Sequence, residues 1–145
     1  MIKIYDYDDL EKYYSKNCKQ YMFDDDITID SCFVADLEDE DIYVNGDVFV
    51  ECSLLGREIR ARNIYAYNIN FDNIIANKIK AKKIIGFNIY ANYIECEDID
   101  YHYTCIATQE LHYKKIKYGC RYPCHICLKD LNIEYKIKNV CHWDT

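Results

Sequence analysis

Ile59-Arg-Ala-Arg-Asn-Ile64-Tyr-Ala-Tyr-Asn-Ile69-Asn-Phe-Asp-Asn-Ile74-Ile-Ala-Asn-Lys-Ile79-Lys-Ala-Lys-Lys-Ile84-Ile-Gly-Phe-Asn-Ile89-Tyr-Ala-Asn-Tyr-Ile94-Glu-Cys-Glu-Asp-Ile99 places isoleucine at every fifth position, nine times without a slip. A second row follows two positions behind: Ala61, Ala66, Phe71, Ala76, Ala81, Gly86, Ala91, Cys96 and Tyr101. Helices repeat roughly every 3.6 residues and strands about every 2, so a period of five belongs to neither. It belongs to a chain wound as stacked coils, each built of short straight segments with a corner between them. The isoleucines then form internal columns, and small residues fill the narrow space near the corners. Phe71 and Tyr101 interrupt the small row, which predicts local widening or an outward rotamer at each.

Outward from this stretch the pattern loosens. Ile27-Thr-Ile29, Phe33-Val-Ala35, Ile42-Tyr-Val44 and Val48-Phe-Val50 are short strand-like segments that read as less regular first coils, with a turn signal at Asn45-Gly46-Asp47. Before them, residues 7 to about 22 read as a short helix capped by Asp8 or Asp9. Leu10, Tyr13, Tyr14, Cys18 and Tyr21 lie on one face and plug the open end of the stack. After Ile99, residues 113–118 and 131–138 read as strands of a terminal cap, with turns at Tyr118-Gly119 and Lys129-Asp130. The expected organisation is one domain over 1–145, with an N-terminal cap over 1–25, a β-helix over 26–111 and a C-terminal cap over 112–145.

The repeat resembles the pentapeptide-repeat family, although there the small residue precedes the large one and here it follows. It is more similar still to small bacterial and phage proteins with runs of Asn-Ile-Xaa-Ala and a Cys- and Tyr-containing tail, seen here as residues 98–107 and 125–130. The resemblance covers roughly residues 42–130. It implies an all-β, right-handed, four-sided parallel β-helix with about four repeats per coil. Twenty residues per coil would place Ile59 under Ile79 and Ile99, Arg60 under Lys80, and Arg62 under Lys82.

Charge is unevenly placed. Residues 1–55 hold 15 Asp/Glu against 4 Lys/Arg, and residues 56–145 hold 10 against 14. An acidic end attracts a basic partner surface, and the set expected to do so is Asp36, Glu38, Asp39, Glu40 and Asp41. The second set is a basic, aromatic-bordered stripe of Arg60, Arg62, Lys80 and Lys82 with Tyr65, Tyr67 and Phe87, the composition that contacts nucleic acid or an acidic protein. The plainer reading of both is a soluble surface with guarded strand edges.

Cys120, Cys124, Cys127, His125 and Cys141-His142 supply enough soft ligands for a structural zinc, but in a loose spacing, and Cys127 reads more simply as core. No metal or cofactor is expected. Cys105 near His102 and His112 reads as a chance pairing, and no phosphate loop or nucleophile elbow occurs. The chain is therefore expected not to be an enzyme.

Some pentapeptide-repeat proteins present an acidic, duplex-like surface that inhibits DNA-handling enzymes. The resemblance thus implies a protein-binding inhibitor of a nucleic-acid-handling partner, such as a host defence nuclease (an anti-CRISPR-like role) or a topoisomerase. The alternatives are a self-assembling structural module and direct nucleic-acid binding through the basic stripe. With an acidic N-terminus, nine cysteines and no long apolar run, the expected location is the cytoplasm, the host's if phage-encoded.

Overall fold

Side chains that stack on one another in the regular stretch are fifteen residues apart, not twenty. In the computed structural model, which describes residues 1–30 and 34–138, Asn88 Nδ2 donates to Asn73 Oδ1 at 3.0 Å, and Asn92 Nδ2 to Asn77 Oδ1 at 2.9 Å. Asn68 bonds Ser53 and Lys82 bonds Tyr67 at the same interval. Three pentapeptides therefore complete a coil, and the solenoid has three sides where four were expected. Both coil lengths are multiples of five and keep isoleucine on isoleucine, which is why the ladder alone could not choose between them.

The coils are one continuous strand, β6 (Asp41–His112), paired in parallel with shorter strands at either end. At the N-terminal end β3 (Gln20–Phe23), β4 (Ile27–Ile29) and β5 (Val34–Asp36) lie on its first coil, and β1 (Ile2–Ile4) lies on β4. These first coils are wider: Gln20 pairs with Asp41 and Ile27 with Val48, 21 residues apart, while Val34 pairs with Ser53, 19 apart. At the other end β7 (Lys115–Tyr118) and β8 (His125–Cys127) pair with the last coil, setting Ile116 against Ile99 and Cys127 against Ala107. Among the described residues no helix is long and apolar enough to cross a membrane.

Inside, the nine isoleucines are all buried. They form three columns: Ile59, Ile74 and Ile89; Ile64, Ile79 and Ile94; Ile69, Ile84 and Ile99. Each contributes roughly 1.5–3 kcal/mol by burial, enough to hold intervening Asn and Lys residues with poor strand preference. The second row divides the same way. One corner is lined by Ala61, Ala76 and Ala91, all buried; the next by Ala66, Ala81 and Cys96, of which the two alanines are only partly covered.

The third corner alternates Gly56, Phe71, Gly86 and Tyr101. Phe71 and Tyr101 point inward and are buried, so neither the outward rotamer nor a widened coil is needed. The glycines make the room. A Cβ on Gly56 would stand 2.4 Å from Phe71 Cε1, and one on Gly86 2.9 Å from the Phe71 carbonyl oxygen.

The N-terminal helix is shorter than its apolar pattern predicts. Helix α1 spans only Tyr7–Glu11; Asp6, not Asp8 or Asp9, caps it by accepting the Asp9 N–H, while Asp9 accepts the Tyr5 N–H in return. Leu10 is buried beneath it, as the plug requires. The chain then forms a hairpin of β2 (Tyr14–Ser15) with β3, turning through Lys19 at φ 55. Stacking of Tyr13 on Phe23 at 4.7 Å favours the hairpin over a longer helix.

In the C-terminal cap residues 115–118 are a strand as expected, but 131–138 are not. Leu128–Leu131 is a 3-10 turn closed by Asn132 in the left-handed region, and residues 133–138 follow without regular secondary structure.

Candidate interaction surface

The acidic set is divided by its hydrogen bonding. Asp41 is held bidentately by Arg57, with Nε at 2.8 Å and Nη2 at 2.7 Å; this pair raises the Arg57 pKa and commits Asp41 to the fold. Glu40 accepts from Tyr14 Oη at 3.4 Å, and burial followed by the Glu40 charge pushes the Tyr14 phenol up. Asp36, Glu38 and Asp39 are exposed at the end of β5. Glu38 sits at φ 56 and donates its N–H to Asp36 Oδ1, which fixes this turn, and Tyr7 Oη bridges the Val34 carbonyl and the Asp36 N–H. Among the described residues none of Asp36, Glu38 and Asp39 carries an ion pair.

A second acidic corner lies beside the N-terminus. Asp25 accepts the Asp26 N–H at 2.7 Å and pairs with the Met1 amino group at 3.1 Å, and these two contacts, in that order, lower its pKa. Asp26 Oδ1 accepts the Asp47 N–H and Arg62 Nη2. The close approach explains Gly46: a Cβ there would meet Asp26 Oδ1 at 2.4 Å. The turn signal at residues 45–47 thus marks a corner within the continuous strand.

The basic set is not one stripe. Arg60 lies over the Tyr43 ring at 5.3 Å, and Arg62 binds Asp47 and Asp26. Lys80 and Lys82 lie on other parts of the wall: Lys80 pairs with Glu95 at 3.6 Å, and Lys82 donates to Tyr67 Oη at 2.8 Å. The stacking of Arg60 under Lys80 and Arg62 under Lys82 is replaced because the coil is fifteen residues long. Tyr65 stacks on Phe49 at 5.1 Å, while Phe87 packs with His102 and Tyr103 elsewhere.

What the structure does bring together is an open groove of about 780 Å³ lined by Tyr65, Lys80, Lys82, Glu95, Glu97 and Lys114, among others. Its floor includes Ala66, Ala81 and Cys96, the least covered of the three small columns. Lys114 pairs with Glu97 and Lys80 with Glu95, so positive and negative groups alternate along it.

The hydrogen-bonded stacking of asparagines is the feature that sequence reasoning missed. Asp47, Asn63, Asn77, Asn92 and Thr108 are linked in one hydrogen-bonded ladder up the solenoid, and Asn73, Asn88 and Thr104 in another. Asn92 is fully buried and uses its whole bonding capacity. Its Nδ2 donates to Asn77 Oδ1 and the Ile137 carbonyl, and its Oδ1 accepts from Thr108 Oγ1 and the Ile137 N–H. With Gln109 donating to the Tyr135 carbonyl, this pins the C-terminal segment to the wall. The recurrence of Asn at 73 and 88 and at 77 and 92 was the available signal.

Burial pushes the Cys105 thiol up to about 12 and Cys96 to about 11. Among the described residues no three His, Cys, Asp or Glu side chains converge to hold a metal ion; Cys141 and His142 lie outside those residues. Set against protein-family models, curated proteins and solved structures, the chain matches none of them.

Proposed function

We propose that this chain is a non-catalytic binding protein whose acidic N-terminal coils engage a basic surface on a nucleic-acid-handling enzyme and occupy the place of its polyanionic substrate. The observation that carries this is the axial separation of charge. Residues 1–41 hold 13 Asp/Glu against 4 Lys/Arg, and residues 113–138 hold 2 against 7. Stacking in chain order sets these groups at opposite ends of a rigid solenoid. Carboxylates held on a stiff, hydrogen-bonded frame lose little freedom on binding, which favours affinity. Asp36, Glu38 and Asp39 are the residues available for this role.

The test is displacement of a labelled DNA duplex from DNA-binding nucleases and a type II topoisomerase. The wild type displaces duplex, and Asp36→Lys/Glu38→Lys/Asp39→Lys does not, with circular dichroism unchanged. Equal displacement by both proteins removes the acidic set from the account. Binding of the duplex by this protein itself, weakening steeply with salt, favours the basic residues instead.

The same axial polarity favours a second reading, head-to-tail assembly of copies through opposite charges. Light scattering decides it: concentration-dependent growth at low salt supports assembly, and a constant monomer mass removes it.

A further inference from the structure

The loop between β7 and β8, Gly119-Cys120-Arg121-Tyr122-Pro123-Cys124, is held to the last coil by three hydrogen bonds, two backbone–backbone and one to a side chain. Gly119 N–H donates to the Tyr101 carbonyl at 2.9 Å, Cys124 N–H to Tyr101 Oη at 2.8 Å, and Cys105 N–H to the Cys124 carbonyl at 3.1 Å. Tyr101 is itself buried and bonds His125 Nδ1 at 2.8 Å, so the anchor is part of the core. A Cβ at Gly119 would stand 2.2 Å from His102 Nδ1, so a side chain there would displace the exposed His102 ring that packs over this turn. The loop is therefore closed tightly over the end of the solenoid with both its ends fixed.

Within it both thiols turn to one acceptor. Cys120 Sγ donates to the Tyr122 carbonyl at 2.7 Å, and Cys124 Sγ to the same oxygen at 3.5 Å. Sharing that oxygen holds the two thiols side by side in the loop. Cys124 is exposed and Cys120 half-buried, so a small oxidant reaches them. Cys127 is buried and turned away, its Sγ donating to the Gln109 carbonyl. Among the described residues no other two thiols share an acceptor.

We infer that Cys120 and Cys124 are a redox-active pair that closes to an intramolecular disulfide with a small-molecule disulfide as oxidant. The Cys120 thiolate, its proton released to water, attacks one sulfur of the oxidant and expels the other as a thiolate. The Cys124 thiolate then attacks Cys120 Sγ in the mixed disulfide and expels the second. Two electrons pass from the protein thiols to the oxidant's disulfide, and the two released thiolates take up the protons. Side-chain rotation brings the two sulfurs to the S–S length of about 2.05 Å. Desolvation and the contact with Cys120 hold the Cys124 thiol above its ordinary range, so closure quickens as pH rises through the alkaline region. The closed ring locks the loop that Tyr101 anchors, making the cap's rigidity dependent on redox state.

The experiment equilibrates the full chain with mixtures of oxidised and reduced glutathione, blocks free thiols and digests with trypsin. Cleavage after Lys117 and Arg121 separates the two cysteines, so the disulfide joins peptide 118–121 to peptide 122–129. The expected result is that joined peptide, lost on reduction, absent in Cys120→Ser and Cys124→Ser and retained in Cys127→Ser, with the protein still monomeric on a non-reducing gel. A bridge that survives Cys124→Ser but not Cys127→Ser, glutathione adducts without closure, or cross-linked dimers would each overturn the inference. Peptide 122–129 carries both Cys124 and Cys127, so fragmentation of the joined wild-type peptide, which places the bridge on one or the other, decides it even if a variant folds poorly.

Discussion

Replacing Asn92 by alanine should unpin the C-terminal segment. Asn92 makes four hydrogen bonds with no water in reach, and alanine removes all of them. A net contribution of about 1 kcal/mol each would total roughly 4 kcal/mol. Ile137 is half-buried and regains water, whereas Thr108 is buried and cannot, which brings the expected loss to about 3 kcal/mol. For a chain of this size that lowers Tm by roughly 6–12 °C. Urea denaturation measures the loss, and amide exchange at Ile137 locates it.

Asn92→Asp sharpens the test. Its carboxylate would face two acceptors, Asn77 Oδ1 and the Ile137 carbonyl, which raises its folded pKa. Relative to wild type this variant is therefore least impaired in acid below about pH 3.9, the ordinary carboxyl value. It weakens as pH rises through the raised folded value. A loss under about 0.5 kcal/mol in Asn92→Ala, with Ile137 exchange unchanged, would refute the reasoning.

Thiol labelling at pH 8 should modify Cys18 and Cys124 well before Cys96 and Cys105, whose thiols are pushed up to about 11 and about 12; mass-mapped labelling rates check the order. Asp25 has a lowered folded pKa, so its contribution is complete above the ordinary value of 3.8 and is lost as pH falls below it. Protection factors of the β1 amides, observed exchange divided into the intrinsic rate at the same pH, should accordingly fall in acid in wild type, and an Asp25→Asn variant should show that lower protection already at neutral pH.

The solenoid was legible because burial leaves a regular signature: an isoleucine every fifth residue has no other economical packing. Coil length was not legible from that row, because stacking at fifteen or twenty places isoleucine on isoleucine equally well. The deciding residues are those that break the second row. Gly56, Phe71, Gly86 and Tyr101 are fifteen apart, and their small–large alternation is the shape complementarity of one column. With the wrong coil length, Arg60 and Arg62 were stacked on Lys80 and Lys82, and a broken set of pairs was taken for a stripe.

The acidic end was legible as charge. That Glu40 and Asp41 are bound to Tyr14 and Arg57 depends on contacts across coils that no local pattern encodes. The hairpin after α1 was hidden for a similar reason, since Leu10, Tyr13 and Tyr21 suit either a helix face or a packed hairpin until Phe23 is seen beneath Tyr13.

The central physical claim is that residues fifteen apart stack, and a double-mutant cycle between Gly56 and Phe71 tests it most directly. Gly56→Ala forces a Cβ against the Phe71 ring and should cost about 1–3 kcal/mol. In a Phe71→Leu background Cε1, the nearest obstacle, is gone, while the Glu40 carbonyl, 2.9 Å from that Cβ, still opposes it. The account predicts that the cost falls there by about 1 kcal/mol or more. Additive effects at 56 and 71, with Phe71 coupled instead to Ala91 twenty residues away, would contradict it.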